Sequence, residues 1–265
     1  MRLGFSPVTS GMLDVSAAFR LADELGLAFI ELAHDLHEIA PGLQDPARIN
    51  ELRTSTGIGV TVHLSYVDLN LASLIPAARR TSVERTQRGL EFAHAVEATC
   101  GVLHTGLSYL EHPQAAALVA SALDASLAEL EGSSVPIALE NLCLTTFDYV
   151  RGPRHLHELT TRHGLRNTVD FGHAHVEATR KGGSLIGEYL DLLGADVVHL
   201  HVHNNHGGAD DHLPTTQGTI EYAHHIDFLR TFEGTVCLEI VAGGSGEDGV
   251  RASVAHLRGL ERGTA

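Results

Sequence analysis

The chain of 265 residues is 43% hydrophobic and carries a formal charge of −15, with Lys181 as its only lysine. That is enough apolar material for one large core, and the acidic balance argues against DNA or RNA, whose phosphates are gripped by Lys and Arg. The start MRLGFSPVTSG lacks a basic segment followed by a long apolar one, and no run approaches the roughly 18 apolar residues that span a bilayer, so a soluble cytoplasmic protein without a membrane partner is expected. Cys100, Cys143 and Cys237 are far apart and form no CxxC pair, which argues against a disulfide framework and against a thiolate zinc site.

In chain order, short β-rich runs recur at 2–6, 28–32, 58–64, 101–105, 136–140, 165–170, 196–201 and 235–241, with helix-forming stretches between them. Asp14 precedes VSAAFRLADELG, which closes at Gly26, and Asp45-Pro46 precedes ARINELRTSTG, which closes at Gly57. Each pairs a residue suited to an N-cap with a terminal glycine. The longest helix is expected over 79–98. Eight alternations of strand and helix predict an α/β fold, a (β/α)8 TIM barrel occupying 1–265 as a single domain, whose working face lies at the C-terminal strand ends. A doubly wound open sheet is the competing architecture, but it leaves the polar strand ends without a common centre.

Those strand ends are metal-ligand types: His63, His104, Glu140, Asp170, His201 and Glu239 close the third to eighth strands. In a closed barrel six such ends form a ring around one axis. His173 stands three residues after Asp170, and Asp210 and His212 lie in the long loop after strand seven. The segment HLHVHNNHGGADDH (199–212) is too rich in imidazole and carboxylate for a core or a solvated face, and this donor set suits a divalent ion such as Zn2+, Mn2+ or Co2+. Within it, His201, Asp210 and His212 are read as ligands. His199 is expected to point elsewhere, and His203 and His206 to support ligands or face substrate.

In order and spacing, HLSYVDLNLAS, VLHTG, LEN, DFGHAH, HLHVHNNHGGADDHLP and CLEI resemble the xylose isomerase-like barrel superfamily over nearly the whole chain. That superfamily contains sugar and sugar-phosphate isomerases and epimerases, and endonuclease IV. The isomerase branch implies that Glu140, Asp170, His201 and Glu239 hold one divalent metal while His173 contacts substrate. The endonuclease branch implies nine ligands for three zinc ions, at His63, His104, Glu140, Asp170, His173, His201, Asp210, His212 and Glu239. One to three ions per chain therefore follow from the resemblance. Asn204 and Gln217 depart from the Asp and Glu frequent at those positions, which puts proton handling around the ligands in doubt.

Two chemistries fit the ring. In the first, a small sugar, polyol or sugar phosphate is isomerised or epimerised through a metal-stabilised enediolate, with Glu140 and Glu239 as the two bases. In the second, a multinuclear zinc cluster hydrolyses a phosphoester, a small-molecule phosphate being favoured over DNA. Four carboxylates leave the ring at roughly −2 with one divalent ion and roughly +2 with three, so an anionic substrate suits the second.

The loops offer a nuclease little: Arg79, Arg80, Arg154 and a possible wedge at Tyr66, with Arg151 beside them. Tyr66 and His203 are placed as substrate-facing. Glycine-rich stretches 180–184 and 243–246 add Lys181 and Ser245 as candidate contacts for a substrate anion. Cys143 is read as packing, and Glu31 as either substrate-facing or structural. A non-catalytic metal-binding barrel is a third class, and a homo-oligomer is compatible with all three.

Overall fold

The Val-, Ile- and Leu-rich runs close on themselves in the computed structural model, which describes residues 1–264 apart from 109–111, 144–147, 151, 183 and 242–245. Eight parallel strands pair in chain order: β1 (Arg2–Phe5), β2 (Phe29–Ala33), β3 (Gly59–His63), β4 (Gly101–Leu103), β5 (Ile137–Glu140), β6 (Arg166–Asp170), β7 (Val197–Val202) and β8 (Thr235–Leu238). β8 returns to β1 in the register Arg2↔Thr235 to Phe5↔Leu238, so no edge is left and the fold is a (β/α)8 barrel. All eight expected strands form, and several are shorter than expected. β4 stops at Leu103 and β8 at Leu238, which leaves His104 and Glu239 on the first residue beyond each strand.

The helices begin where local chemistry starts them. Asp14 caps α1 (Val15–Glu24) by accepting the Ser16 N–H at 2.9 Å. Asp45 caps the next long helix, Pro46–Thr56, from the Ala47 N–H at 3.1 Å, and that helix ends on Gly57 with φ +74°, a left-handed turn natural to glycine. Between these two, a short α2 (His34–Ile39) follows β2 directly, so the helix over 46–56 is α3 and the long one is α4 (Pro76–Ala95). α4 starts three residues earlier than expected because Pro76 is suited to the first turn, and it stops short of Glu97, whose φ is +50°. The remaining helices used below are α5 (Pro113–Ala128), α6 (Pro153–His163) and α7 (Phe171–Lys181).

Along each strand, alternate residues face the helices or the barrel axis. Leu3, Phe5, Ile30, Leu32, Val60, Val62, Leu200, Val202, Val236 and Leu238 belong to one continuous apolar core with the helices. Each such fully buried side chain contributes roughly 1.5–3 kcal/mol. The alternates Glu31, Thr61, His63, His199, His201 and Cys237 are buried on the axis, where the interior is polar. A register shift between β6 and β7 sets Asn167 opposite Val197 but Thr168 opposite His199, so that Asp170 then faces His201. This corrects the expectation for His199. Residues two apart on a strand share a face, and His199 lies on the axis one layer beneath His201. No helix among the described residues is long and apolar enough to cross a membrane.

Candidate metal centre

Glu140, at the end of β5 and 1% exposed, is the hub of the barrel mouth. Its Oε2 lies 3.0 Å from His104 Nε2 and 3.7 Å from His63 Nε2, and its Oε1 lies 3.1 Å from His201 Nδ1 and 3.3 Å from His173 Nδ1. Four imidazoles thus meet one carboxylate. His201 Nδ1 also lies 3.4 Å from Glu239 Oε2 and 3.8 Å from Asp170 Oδ2. One imidazole nitrogen and three carboxylates therefore surround a single point, an arrangement that suits a divalent cation.

Asp170 does two jobs at once. It ends β6 and caps α7, its Oδ1 accepting the His173 N–H at 2.6 Å. His173 sits in the first turn of α7, where that bond aims the ring at Asp210, with His173 Nε2 3.2 Å from Asp210 Oδ2. The loop after β7 folds back because Asn204 and Leu213 exchange both backbone bonds, at 2.8 and 2.7 Å. This return brings Asp210 and His212 over the mouth. His212 has φ +48°, a costly conformation for a non-glycine residue, held by its Nδ1–H donating to the Glu239 carbonyl at 2.8 Å. Its Nε2 is then left facing Asp210 Oδ2 at 2.9 Å.

All nine sequence-predicted ligands are brought together, in overlapping groups whose ligand atoms lie within 4.8 Å of one another. His63, His104 and Glu140 form one, Asp170, His201 and Glu239 another, and His173, Asp210 and His212 with His203 a third, while Glu140, Asp170 and His173 link them and Glu31, His199, His201 and Cys237 gather in the layer beneath. Asp210 Oδ1 is buried and accepts no hydrogen bond. An orphaned carboxylate oxygen among three imidazoles is a donor set that a cation completes, so the residues present fit a metal.

Burial opposes ionisation of Glu140, yet the charges of His201 and His104 outweigh it and hold its carboxyl well below the usual range. Burial likewise opposes protonation of His201, but Glu239, Glu140 and Glu31 carry it well above the ordinary imidazole value. His63, against burial, is raised to about 9 by Glu140, and His212, also against burial, to about 9 by Asp210 and Glu239. His104 goes the other way, burial being the largest influence on it. Without metal, therefore, His63, His201 and His212 hold protons where an ion would stand. Loading at pH 7 is expected to release about one or more protons per ion, and apparent affinity is expected to weaken as pH falls. Calorimetry in two buffers of different ionisation enthalpy measures this, and an identical heat in both would contradict it.

A cavity of about 210 Å³ opens over the ring, lined by His63, His104, Glu140, His173, Asp210, His212 and Glu239 together with Ser6, Val8, Thr9, Ala33, Tyr66 and Val241. Larger hollows of about 470 and 520 Å³ lie among the outer helices, beside Glu91 and Glu129 and beside His37 and Arg88, but neither gathers this donor set. Tyr66 faces the site as expected, its ring centroid 4.8 Å from that of His63 and 5.1 Å from that of His104.

Two expected substrate contacts are corrected. Lys181 lies off the cavity, ten residues along α7 from Phe171 and so roughly 15 Å away, and its ammonium pairs with Glu177. His203 is fully buried behind the ligands, with Nε2 3.2 Å from Asp170 and 3.4 Å from Asp210, and its ring stacks on His212 at 3.8 Å. Ser245, with most of the 243–246 stretch, lies outside the described residues, as do Arg151 and Gly183. His206 is exposed and does not line the cavity.

Asn204 points into its own loop, donating to Thr215 and Ile220 and accepting from Asn205 and Ile220, so its departure from Asp concerns loop shape. Gln217 is exposed, its backbone N–H closing a turn on Pro214. Cys143 is buried, as expected of packing. Ser6, Thr9 and Ala33 also line the cavity and were not expected; position at or just past a strand end was the available signal for Ser6 and Ala33, whereas Thr9 lies four residues beyond β1.

Gly172, in the first turn of α7, lets the His203 ring approach, for a Cβ there would overlap the imidazole. Gly172→Ala is expected to cost roughly 1–3 kcal/mol of stability as an overpacked site. Urea denaturation measures it, and an unchanged midpoint would show that the ring has room.

Residues 19–260 match the xylose isomerase-like TIM barrel family, and the chain belongs to it. It is 29% identical over 203 residues to the uncharacterized protein MJ1311 of Methanocaldococcus jannaschii, covering 71% of this chain and 67% of that one. A D-tagatose 3-epimerase-like protein superposes with a TM-score of 0.81 at 19% identity, covering 99% of each chain. The TTHB071 protein of Thermus thermophilus, in crystals soaked with ZnCl2, does so with a TM-score of 0.72 at 23% identity, also covering 99% of each chain. Both superpositions establish the shared fold.

Proposed function

We propose that this chain is a divalent-metal-dependent isomerase or epimerase of a small sugar or polyol. The observation that carries the reading is the convergence of Glu140, Glu239 and Asp170 on Nδ1 of His201, beneath a small cavity. Glu140, Asp170, His201 and Glu239 would hold the ion. A divalent cation there polarises adjacent substrate oxygens and makes the C–H between them more acidic. Glu140 and Glu239 come from non-adjacent strands, so their carboxylates can take a proton from one side of a substrate carbon and return it on another. His173 and Tyr66 border the same cavity and would orient hydroxyl groups. The likeness to a D-tagatose 3-epimerase-like barrel supports a sugar substrate, and the zinc-soaked TTHB071 protein supports a metal in such a barrel.

Charge sharpens the substrate class. No Lys or Arg is among the described residues lining the cavity. One ion brings the four carboxylates to roughly −2, and protons kept by His63 and His212 would bring the ring to roughly 0, which offers a phosphate no net attraction. A neutral sugar is therefore preferred to a sugar phosphate.

The clustering of nine donors at one mouth favours a second reading, a multinuclear zinc phosphoester hydrolase, because three ions would reverse the charge to roughly +2 and make room for an anion. Elemental analysis combined with ketose incubation in deuterium oxide separates the two. One ion per chain and deuterium incorporated beside the carbonyl are expected. Three zinc ions with phosphoesterase activity and no exchange would overturn the isomerase reading.

A further inference from the structure

Beneath the ring lies a carboxylate that the reaction above does not use. Glu31, on β2, has no exposed surface. Its Oε1 accepts a hydrogen bond from His201 Nε2 at 3.0 Å, and its Oε2 accepts one from the Thr61 hydroxyl at 2.9 Å. His199 Nε2 lies 3.0 Å from the same Oε2, too oblique for a hydrogen bond, and its ring is anchored on the far side by Nδ1 to Thr235 Oγ1 at 2.6 Å. Glu31 and Thr61 are register partners, and His199 and His201 share one face of β7, so barrel closure brings together groups from opposite sides of the interior.

A carboxylate without solvent is costly and is retained where its partners need it. Its oxygens only accept, so the His201 nitrogen facing it must carry the hydrogen. Nδ1 faces Glu140 Oε1 at 3.1 Å in the same way, so both nitrogens carry hydrogen without metal; an ion would displace the hydrogen on Nδ1, the side of Glu140, Asp170 and Glu239, while Glu31 keeps the one on Nε2.

We propose that Glu31 is a positioning residue, the carboxylate that fixes the tautomer and ring orientation of His201 so that Nδ1 is presented to the metal. A carboxylate behind a ligating imidazole orients the ring and raises the basicity of the nitrogen that binds. The inference rests on His201 being a metal ligand and is independent of the reaction catalysed. It also accounts for the polar barrel interior: Thr61 donates to Glu31, His199 lies against it, and Glu31 holds His201.

Two measurements test it. Metal-free protein is titrated with Zn2+ against a chromogenic chelator, comparing wild type with Glu31→Gln, which keeps the shape and removes the charge. Affinity is expected to fall 10–100-fold, and Thr61→Val, which strips only the hydroxyl from Glu31, to lower it less. The imidazole 15N spectrum of zinc-loaded wild type is expected to show His201 protonated at Nε2 and liganded through Nδ1, a signature that a merely structural carboxylate would not impose. Glu31→Gln binding within twofold of wild type, or ligation of His201 through Nε2, overturns the inference. If Glu31→Gln does not fold, the wild-type spectrum decides alone. Wild type that binds no Zn2+ overturns the metal reading of His201 and this inference with it, whereas wild-type binding with an unaffected Glu31→Gln overturns this inference only.

Discussion

Glu140→Gln is expected to lower kcat/KM by about 10³-fold or more, which corresponds to about 4 kcal/mol of lost transition-state stabilisation. The size follows from how many partners one carboxylate serves. Its two oxygens lie 3.0–3.7 Å from nitrogens of His63, His104, His173 and His201, contributed by or just after β3, β4, β6 and β7. A neutral amide removes the charge that holds these imidazoles and turns an N–H toward at least one of them. In the proposed reaction it also removes one of the two bases. Deuterium exchange into a ketose that wild type turns over measures the rate, and far-UV circular dichroism checks that the barrel has formed. A folded Glu140→Gln protein within tenfold of wild type would remove Glu140 from the chemistry.

The second large effect separates one ion from three. His201→Ala is expected to weaken metal binding by more than about 100-fold, beyond the 10–100-fold cost of losing a supporting partner, because it removes the one imidazole on which three carboxylates converge. His104→Ala is expected to leave that ion in place. His104 contacts Glu140 Oε2 on the side toward His63, away from the oxygen that His201 approaches. Elemental analysis of both variants after dialysis gives the comparison. If wild type holds three ions and His104→Ala two, the groups at His63 and at His173 are metal sites as well, and the hydrolase reading replaces the isomerase.

The ligand ring was legible for a simple reason. In a barrel built of eight similar units, the last residue of each strand reaches the same face, so a list of strand ends is already a list of neighbours. His63, Glu140 and Asp170 end their strands, and His104 and Glu239 stand one residue beyond. Asp210 and His212 were legible as candidate ligands, but what returns them to the mouth was not. That return depends on the paired backbone bonds between Asn204 and Leu213 and on the left-handed backbone of His212.

Lys181 and His203 show where sequence proximity misleads. Lys181 follows the DFGHAH segment closely, yet the helix that Asp170 caps carries it away from the mouth. His203 continues the alternation of His199 and His201, but that inward face leads it behind Asp170 rather than into the cavity. Glu31, left between substrate and structure by the sequence, became interpretable only when its two oxygens were seen between β3 and β7.

By itself, then, the amino-acid sequence determined the alternation of strands and helices, the closure into a barrel and the types of donor at the mouth, because these depend on local periodicity and on a repeat that forces equivalent residues to one end. Tertiary structure alone decided which oxygen meets which nitrogen, which donors cluster together, and that a buried glutamate stands behind His201. Those are distances between groups up to 170 residues apart in the chain. They are set by strand register, by the shift between β6 and β7, and by the return of one loop, none of which spacing along the chain encodes.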